Sequence, residues 1–277
     1  MTNFYTNRFA KSNTGLAHKD RVLDWRPAED RSHELKYAYK DLEPVTVTVV
    51  EKEMTLPPWH WSHDQGRQGS CVGHGTGMER AITNTRQNRL LSILQPVRRY
   101  DTIDIWNQAK ILDEWPDTNP GDDNGTSVHA GYDVCLKLGL RRVDAMVLDS
   151  NLVPQPVNER IRSAASGVTA VRWATSVDEM RTALSNNTPV TIGINWYSSF
   201  DNPVAKPPYL WPWIGQGILG SVRGGHCVCV FGASDKRQAF AIKNSWGQSY
   251  PLVWMPYTTM EQIIVKENGE AAISTDR

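Results

Sequence analysis

Four residues in this chain have the types and the order of a thiol nucleophile with its helpers. Gln65 stands six positions ahead of Cys71 in the run Asp64-Gln65-Gly66-Arg67-Gln68-Gly69-Ser70-Cys71. Much later come Gly224-Gly225-His226 and Lys243-Asn244-Ser245-Trp246-Gly247. A cysteine supplies the nucleophile and a histidine its base; an asparagine can orient that base, and a glutamine amide can donate to a developing oxyanion. The chemistry expected of such a set is acyl transfer from an amide bond through a covalent thiol intermediate.

Each residue has a physical role in that scheme. A free thiol near pKa 8.5 is mostly protonated at neutral pH, but a helix N-terminus and an adjacent imidazolium lower it to roughly 3.5–7.5. Cys71 is expected as such a thiolate, paired with His226. His226 would then protonate the leaving amine and activate water for deacylation. Asn244 would bond the far ring nitrogen, with Trp246 covering that bond from water. Gln65 and the Cys71 N–H would hold the oxyanion, and Gln68, three positions from the thiol, is not assigned. The plain alternatives are an inert buried cysteine, a structural histidine, an Asn-Ser turn and a surface glutamine.

These residues need elements to position them. From Cys71 the chain reads helical: Met78, Ala81, Ile82, Leu90 and Leu91 fall near one face, Gly73, Gly75 and Gly77 allow close packing, and Pro96 is the first proline. Tyr100 to Leu112 and Ser127 to Leu138 are further helices, the second ended by Gly139. Val177 to Ser185 is a short helix with Ser176 as N-cap and Glu179 in the capping-box position. Thereafter Pro189 to Trp196, His226 to Ala233, Ala239 to Lys243 and Leu252 to Met255 read as strands. Helices before the middle and strands after it predict an α+β architecture, with the thiol on a helical lobe, the histidine on a β-rich lobe and the site between them. Ahead of these, residues 17 to 42 read as an extended arm with one short helix, and Val45 to Val50 as a strand. The expected division is an arm over 1–55 and a catalytic body over 56–277, with the arm completing the fold.

Composition narrows the partners. Thirty basic residues balance thirty acidic ones, so no net field favours nucleic acid or an anionic membrane, and a peptidic partner fits better. There is no apolar run of membrane-spanning length, and the first residues are polar, so a cytosolic location is expected, or a virion if a phage encodes the chain. Four scattered cysteines do not make a disulfide framework. Cys227-Val228-Cys229 is too tightly spaced for a structural zinc site, His60 and His63 read as part of a Trp-rich loop, and Gly121 to Gly125 lacks the glutamate of a calcium loop. No metal or cofactor is expected. The eleven tryptophans, Trp211 and Trp213 among them, divide between core and cleft walls without assignment.

The nucleophile run, Gly225-His226 and Lys243 to Gly247 together resemble the papain-like cysteine peptidases, and Asn124-Gly125-Thr126-Ser127 resembles that family's substrate-binding glycine segment. The resemblance implies a two-lobed papain-like fold, the triad Cys71, His226 and Asn244, and Gln65 as oxyanion donor. It also implies substrate contacts at Gly69, Ser70, Gly125, Thr126, Gly225, Cys227 and Trp246. The sequence departs from the family at Val72 where tryptophan is usual, at Gln68 in place of a disulfide cysteine and at Thr126 in place of a second glycine; no long helical propeptide is read ahead of the body. The function implied is a cysteine endopeptidase of a leaderless, disulfide-free kind. The alternatives are a catalytically idle component of a larger assembly and a thiol amidase or transpeptidase acting on cell-wall peptides.

Overall fold

In the computed structural model, the described residues are 17–41, 49–54, 56–57, 60–88, 99–115, 123–143, 146–148, 154–156, 162–163 and 167–276. Cys71–Asn88 forms the longest helix, α1, and Gly73, Gly75 and Gly77 bring it against its neighbours. A Cβ at Gly73 would overlap the Thr102 carbonyl, and one at Gly75 would overlap the Cys227 sulfur. The helix therefore packs directly against Thr102–Leu112 (α2) on one side and against the histidine strand on the other. Asp101 caps α2 by accepting from the Asp104 N–H, and Ser127 caps Val128–Asp133 (α3) by accepting from Ala130. Helix α3 runs on as a wider turn over Val134–Leu138 and stops at Gly139, whose φ of 73° suits glycine.

The main sheet is antiparallel, and two short pairs, Leu140–Arg141 with Arg162–Ser163 and Met146–Leu148 with Pro154–Pro156, lie apart from it. Val222–Ser234 (β1) is its long member, flanked by Val190–Tyr197 (β2) and Ala239–Lys243 (β3), with Val253–Pro256 (β4) at one edge. On the far side of β2 lie Glu270–Asp276 (β5) and Val168–Trp173 (β6). Helix α4, Val177–Ser185, has its Ser176 cap, and Glu179 reaches back to the Thr175 N–H at 2.7 Å. Strands β5 and β6 are absent from the sequence reading, because Glu-Ala-Ala-Ile-Ser-Thr-Asp has neither alternation nor bulk. Apolar residues of the sheet, α4 and the C-terminal segment form one core, and α1 to α3 with β6 form a second.

Most of the expected Val45 to Val50 strand lies outside the described residues; the strand found there is Glu51–Glu53, paired with the far end of β1. Residues 17–41 are an arm on the body, with a short helix at Ser32–Lys36 and with Trp25, Ala28, Ala38 and Tyr39 buried. No helix among the described residues is long and apolar enough to cross a membrane.

Candidate active site

The two halves of the site are stitched together by main chain. The Gln65 N–H donates to the Ser245 carbonyl at 2.9 Å, and the Gly247 N–H donates to the His63 carbonyl at 3.0 Å. The loop before Cys71 is thus fixed to the Asn-Ser-Trp-Gly loop. Strands β1 and β3 pair with Cys229 opposite Lys243, and this return carries Asn244 back beside His226. Cys71 is the first residue of α1, as its sequence position implied, and it is fully buried.

His226 Nε2 and Asn244 Oδ1 are 2.8 Å apart. The same Oδ1 accepts from the Ser245 N–H at 2.6 Å, which fixes it as the oxygen of the amide. Nε2 must therefore carry a proton, and in a neutral ring Nδ1 is left with the lone pair. Trp246 lies 5.3 Å from the His226 ring and Trp196 meets that ring edge-on at 4.8 Å, so the pair sits in an aromatic enclosure. Below it, buried Lys243 donates to the Asn244 carbonyl. Burial pulls that amine down to about 7.

Gln65 is buried and its amide is oriented by Ser245, whose hydroxyl donates to Oε1 at 2.6 Å. This leaves Nε2 to donate. It does so to the Gln68 carbonyl at 2.9 Å and to the Val22 carbonyl at 3.0 Å.

Val22 belongs to the arm, and the arm occupies the cleft. Trp25 N–H donates to the Gly225 carbonyl at 2.8 Å, and Arg26 N–H donates to the Thr126 carbonyl at 3.1 Å. Gly125 lies so close to the Asp24 carbonyl that no side chain would fit there, and Gly69 lies against the Asp24 side chain. The Gly69 N–H itself donates to Asp123 at 2.7 Å. At the other end the His18 ring lies tilted against Trp246, 5.5 Å between centroids. Arg21 forms a buried ion pair with Asp64, the two side chains being 0% and 1% exposed. The arm therefore runs from Trp246, past Cys71, to Thr126. Of the substrate-contact positions inferred from sequence, Gly69, Gly125, Thr126, Gly225 and Trp246 meet arm residues. Cys227 offers its N–H to the Cys71 sulfur, and Ser70 is buried with its hydroxyl unbonded.

Burial works against one expectation in this state. Burial pushes the Cys71 thiol up to about 11, outweighing main-chain N–H groups of Cys227 and Asp24 that favour the thiolate. The Asp24 carboxylate adds to the rise. Burial also pulls His226 down to about 3, and its Nδ1 is buried without a hydrogen-bond partner. Beneath the arm desolvation raises the thiol and lowers the imidazole, so both shifts run against the expected thiolate–imidazolium pair.

Sequence reasoning missed the arm residues Val22, Asp24, Trp25 and Arg26, and also Glu270, which accepts from Trp25 Nε1 at 2.8 Å. Nothing local in the sequence marks them, since their partners are distant in the chain, from Gln65 for Val22 to Gly225 and Glu270 for Trp25. Among the described residues no group of three or more His, Cys, Asp or Glu side chains is placed to hold a metal ion.

No known family profile matches the chain. It is 24% identical over 227 residues to an uncharacterized peptidase C1-like protein of Acanthamoeba polyphaga mimivirus, an alignment covering 73% of this chain and 65% of that protein, just under two thirds of its length. Among solved structures it is similar to xylellain, a cysteine protease from Xylella fastidiosa, with a TM-score of 0.64 at 16% identity over 93% of this chain and 97% of that one. It is also similar to procathepsin L 3 of the Tenebrio molitor larval midgut, with a TM-score of 0.57 at 15% identity over 95% of this chain and 79% of that one. The chain has the α+β fold of the papain-like cysteine peptidases.

Proposed function

We propose that the chain is a cysteine endopeptidase that works through Cys71, His226, Asn244 and Gln65, and that the arm holds it latent in the form described here. The observation that carries this reading is the arm itself: extended polypeptide, held by main-chain hydrogen bonds, lies over the nucleophile. A cleft that grips N–H and C=O groups is suited to a peptide, whatever its side chains.

The chemistry follows from the geometry. With the arm lifted, a substrate carbonyl takes the place of Val22 at Gln65. Nδ1 of His226 accepts the thiol proton, and sulfur bonds to the carbonyl carbon as the C=O electron pair moves onto oxygen. Gln65 Nε2 and the Cys71 N–H hold that oxyanion. Its collapse breaks the C–N bond, and the amine leaves with the proton from His226. Water, deprotonated by His226, then attacks the thioester, releases the acid and returns the thiol. Asn244 keeps Nε2 protonated throughout, so that Nδ1 is always the nitrogen that exchanges the proton.

The arm is a poor substrate for a physical reason. It presents the Asp24 N–H to sulfur, where attack needs a carbonyl carbon, and it places the Asp24 carboxylate near the thiol. The test is turnover of a peptide library by the full-length chain, its Arg21→Ala variant and its Cys71→Ala variant. The expected order is Arg21→Ala above the native chain, and Cys71→Ala inactive. Absence of turnover in all three would favour an idle binding component.

A further inference from the structure

Cys227 is a second thiol set against the nucleophile. Its main-chain N–H meets the Cys71 sulfur, and its own thiol feels the charge of Cys71. An N–H that reaches a sulfur carries its Cα one bond behind the nitrogen, and a disulfide needs the two Cα atoms within roughly 7 Å. The Cys227 sulfur also packs on the helix that carries Cys71. Gly75 stands one turn after Cys71 on the same face of α1, and a Cβ there would come within 2.6 Å of that sulfur. The missing side chain leaves the second thiol its room beside the first. Both cysteines are free and fully buried.

The other two thiols are placed otherwise. Cys135 donates to the Gly131 carbonyl at 3.6 Å within its own helical run, and Cys229 lies two residues farther along β1, opposite Lys243.

Cys227 is unreactive on its own. Burial first, and then the charge of Cys71, push its thiol well above the ordinary range. Once the arm lifts, a peroxide meets the Cys71 thiolate. The sulfenic acid formed there is neutral, so its formation removes the charge that opposes ionisation of Cys227. The second thiol is therefore held back until the first has been oxidised, which is the order a resolving cysteine needs.

We infer that Cys227 is the resolving cysteine of Cys71, and that peroxide converts the open form into a reversible Cys71–Cys227 disulfide. The inference rests on the nucleophilic Cys71 of the peptidase reading and adds a modification site to it. In the first step a sulfur–oxygen bond forms as the peroxide O–O bond breaks, giving the sulfenic acid and a hydroxide that takes the proton held by His226. In the second, the Cys227 sulfur attacks the Cys71 sulfur; the S–S bond forms, the S–O bond breaks, and the hydroxyl leaves with the Cys227 proton as water. Two thiols are oxidised and one peroxide is reduced to two waters. The disulfide closes the nucleophile to substrate and keeps its sulfur from advancing to sulfinic and sulfonic acid, which thiols do not reverse.

The test treats the full-length Arg21→Ala chain with hydrogen peroxide, alkylates the remaining thiols after denaturation and maps the peptides by mass spectrometry. The expected result is the loss of two free thiols, a linked pair of peptides carrying Cys71 and Cys227, and the return of both thiols with dithiothreitol. The native chain should react more slowly, because the arm covers Cys71. In Arg21→Ala with Cys227→Ser, Cys71 should advance to sulfinic and sulfonic acid and should not return with dithiothreitol. Thermal melting checks that the Cys227→Ser chain is folded; if it is not, the mapped pair in the Arg21→Ala chain decides alone. A disulfide through Cys135 or Cys229, equal accumulation of sulfinic and sulfonic acid with and without Cys227, or no oxidation of Cys71 would each overturn the inference. Peptide turnover by an Arg21→Ala chain that forms no Cys71–Cys227 disulfide would leave the peptidase reading standing, whereas the disulfide without turnover of any peptide would support the role of Cys227 and overturn the peptidase reading instead.

Discussion

The side-chain amide of Gln65 donates to the carbonyl of Val22 at 3.0 Å, while its own oxygen accepts from Ser245. A carbonyl of the chain itself stands at the donor that a substrate carbonyl needs. In the Arg21→Ala chain, Gln65→Ala should lower kcat by roughly 10–1000-fold, since this donor acts on charge that develops in the transition state. It should also lower stability by about 1 kcal/mol through the lost Ser245 bond, so melting and kinetics are measured together. Gln68→Ala, whose side chain is exposed, should change neither.

Arg21 and Asp64 are the buried ionic anchor of the arm. Removing one partner of a buried pair costs about 3–5 kcal/mol, because the other charge stays buried. Arg21→Ala should release that cost by lifting the arm, with faster labelling of Cys71 and, on the peptidase reading, higher turnover. Unchanged labelling would mean that the main-chain bonds alone hold the cleft shut.

Closure should weaken in acid. In the closed form burial holds His226 down to about 3, and burial with the His129 ring stacked at 3.6 Å holds His33, on the arm, down to about 4. A base depressed by closure supports the closed form fully above its ordinary value near 6.5, and that support is lost as pH falls towards the depressed value. Glu270 has the opposite sign: raised to about 7, it supports closure below the ordinary carboxylate range and loses that support as pH rises through 7. Asp24, on the arm, is also raised by burial and acts in the same sense as Glu270. The falls of His226 and His33 outweigh these two rises, so amide exchange at Trp25 and Arg26, corrected for intrinsic rates, should show less protection at pH 4.5 than at pH 7. Greater protection at pH 4.5 would show that Glu270 governs closure.

The candidate constellation stands out in the sequence because each member sits in a short run whose neighbours support it, as Ser245 and Trp246 do beside Asn244. Helix α4 was legible through its Ser176 cap and the Glu179 capping-box position. Strand β5 was not, because Glu270 to Ser274 is buried between its two neighbouring strands and carries no period of its own. The arm was read as extended, yet its place was not, since Trp25 pairs with Gly225 and Thr126 through backbone groups that every residue has. The rise that burial gives the Cys71 thiol was invisible for the same reason: it depends on what covers the thiol, and the cover comes from distant chain.

The most direct measurement is limiting iodoacetamide at pH 5.5 on the full-length Arg21→Ala chain, with and without His226→Ala. An ordinary thiol is about one part in a thousand ionised at that pH, whereas a thiolate paired with imidazolium stays largely ionised. Once the arm no longer desolvates the pair, Cys71 should be labelled well ahead of Cys135, Cys227 and Cys229, all of which are buried. With His226→Ala the labelling of Cys71 should become slow at pH 5.5 and recover only towards the pH of a free thiol. Equal labelling of the four cysteines, or undiminished labelling of Cys71 without His226, would contradict the catalytic pairing while leaving the fold intact.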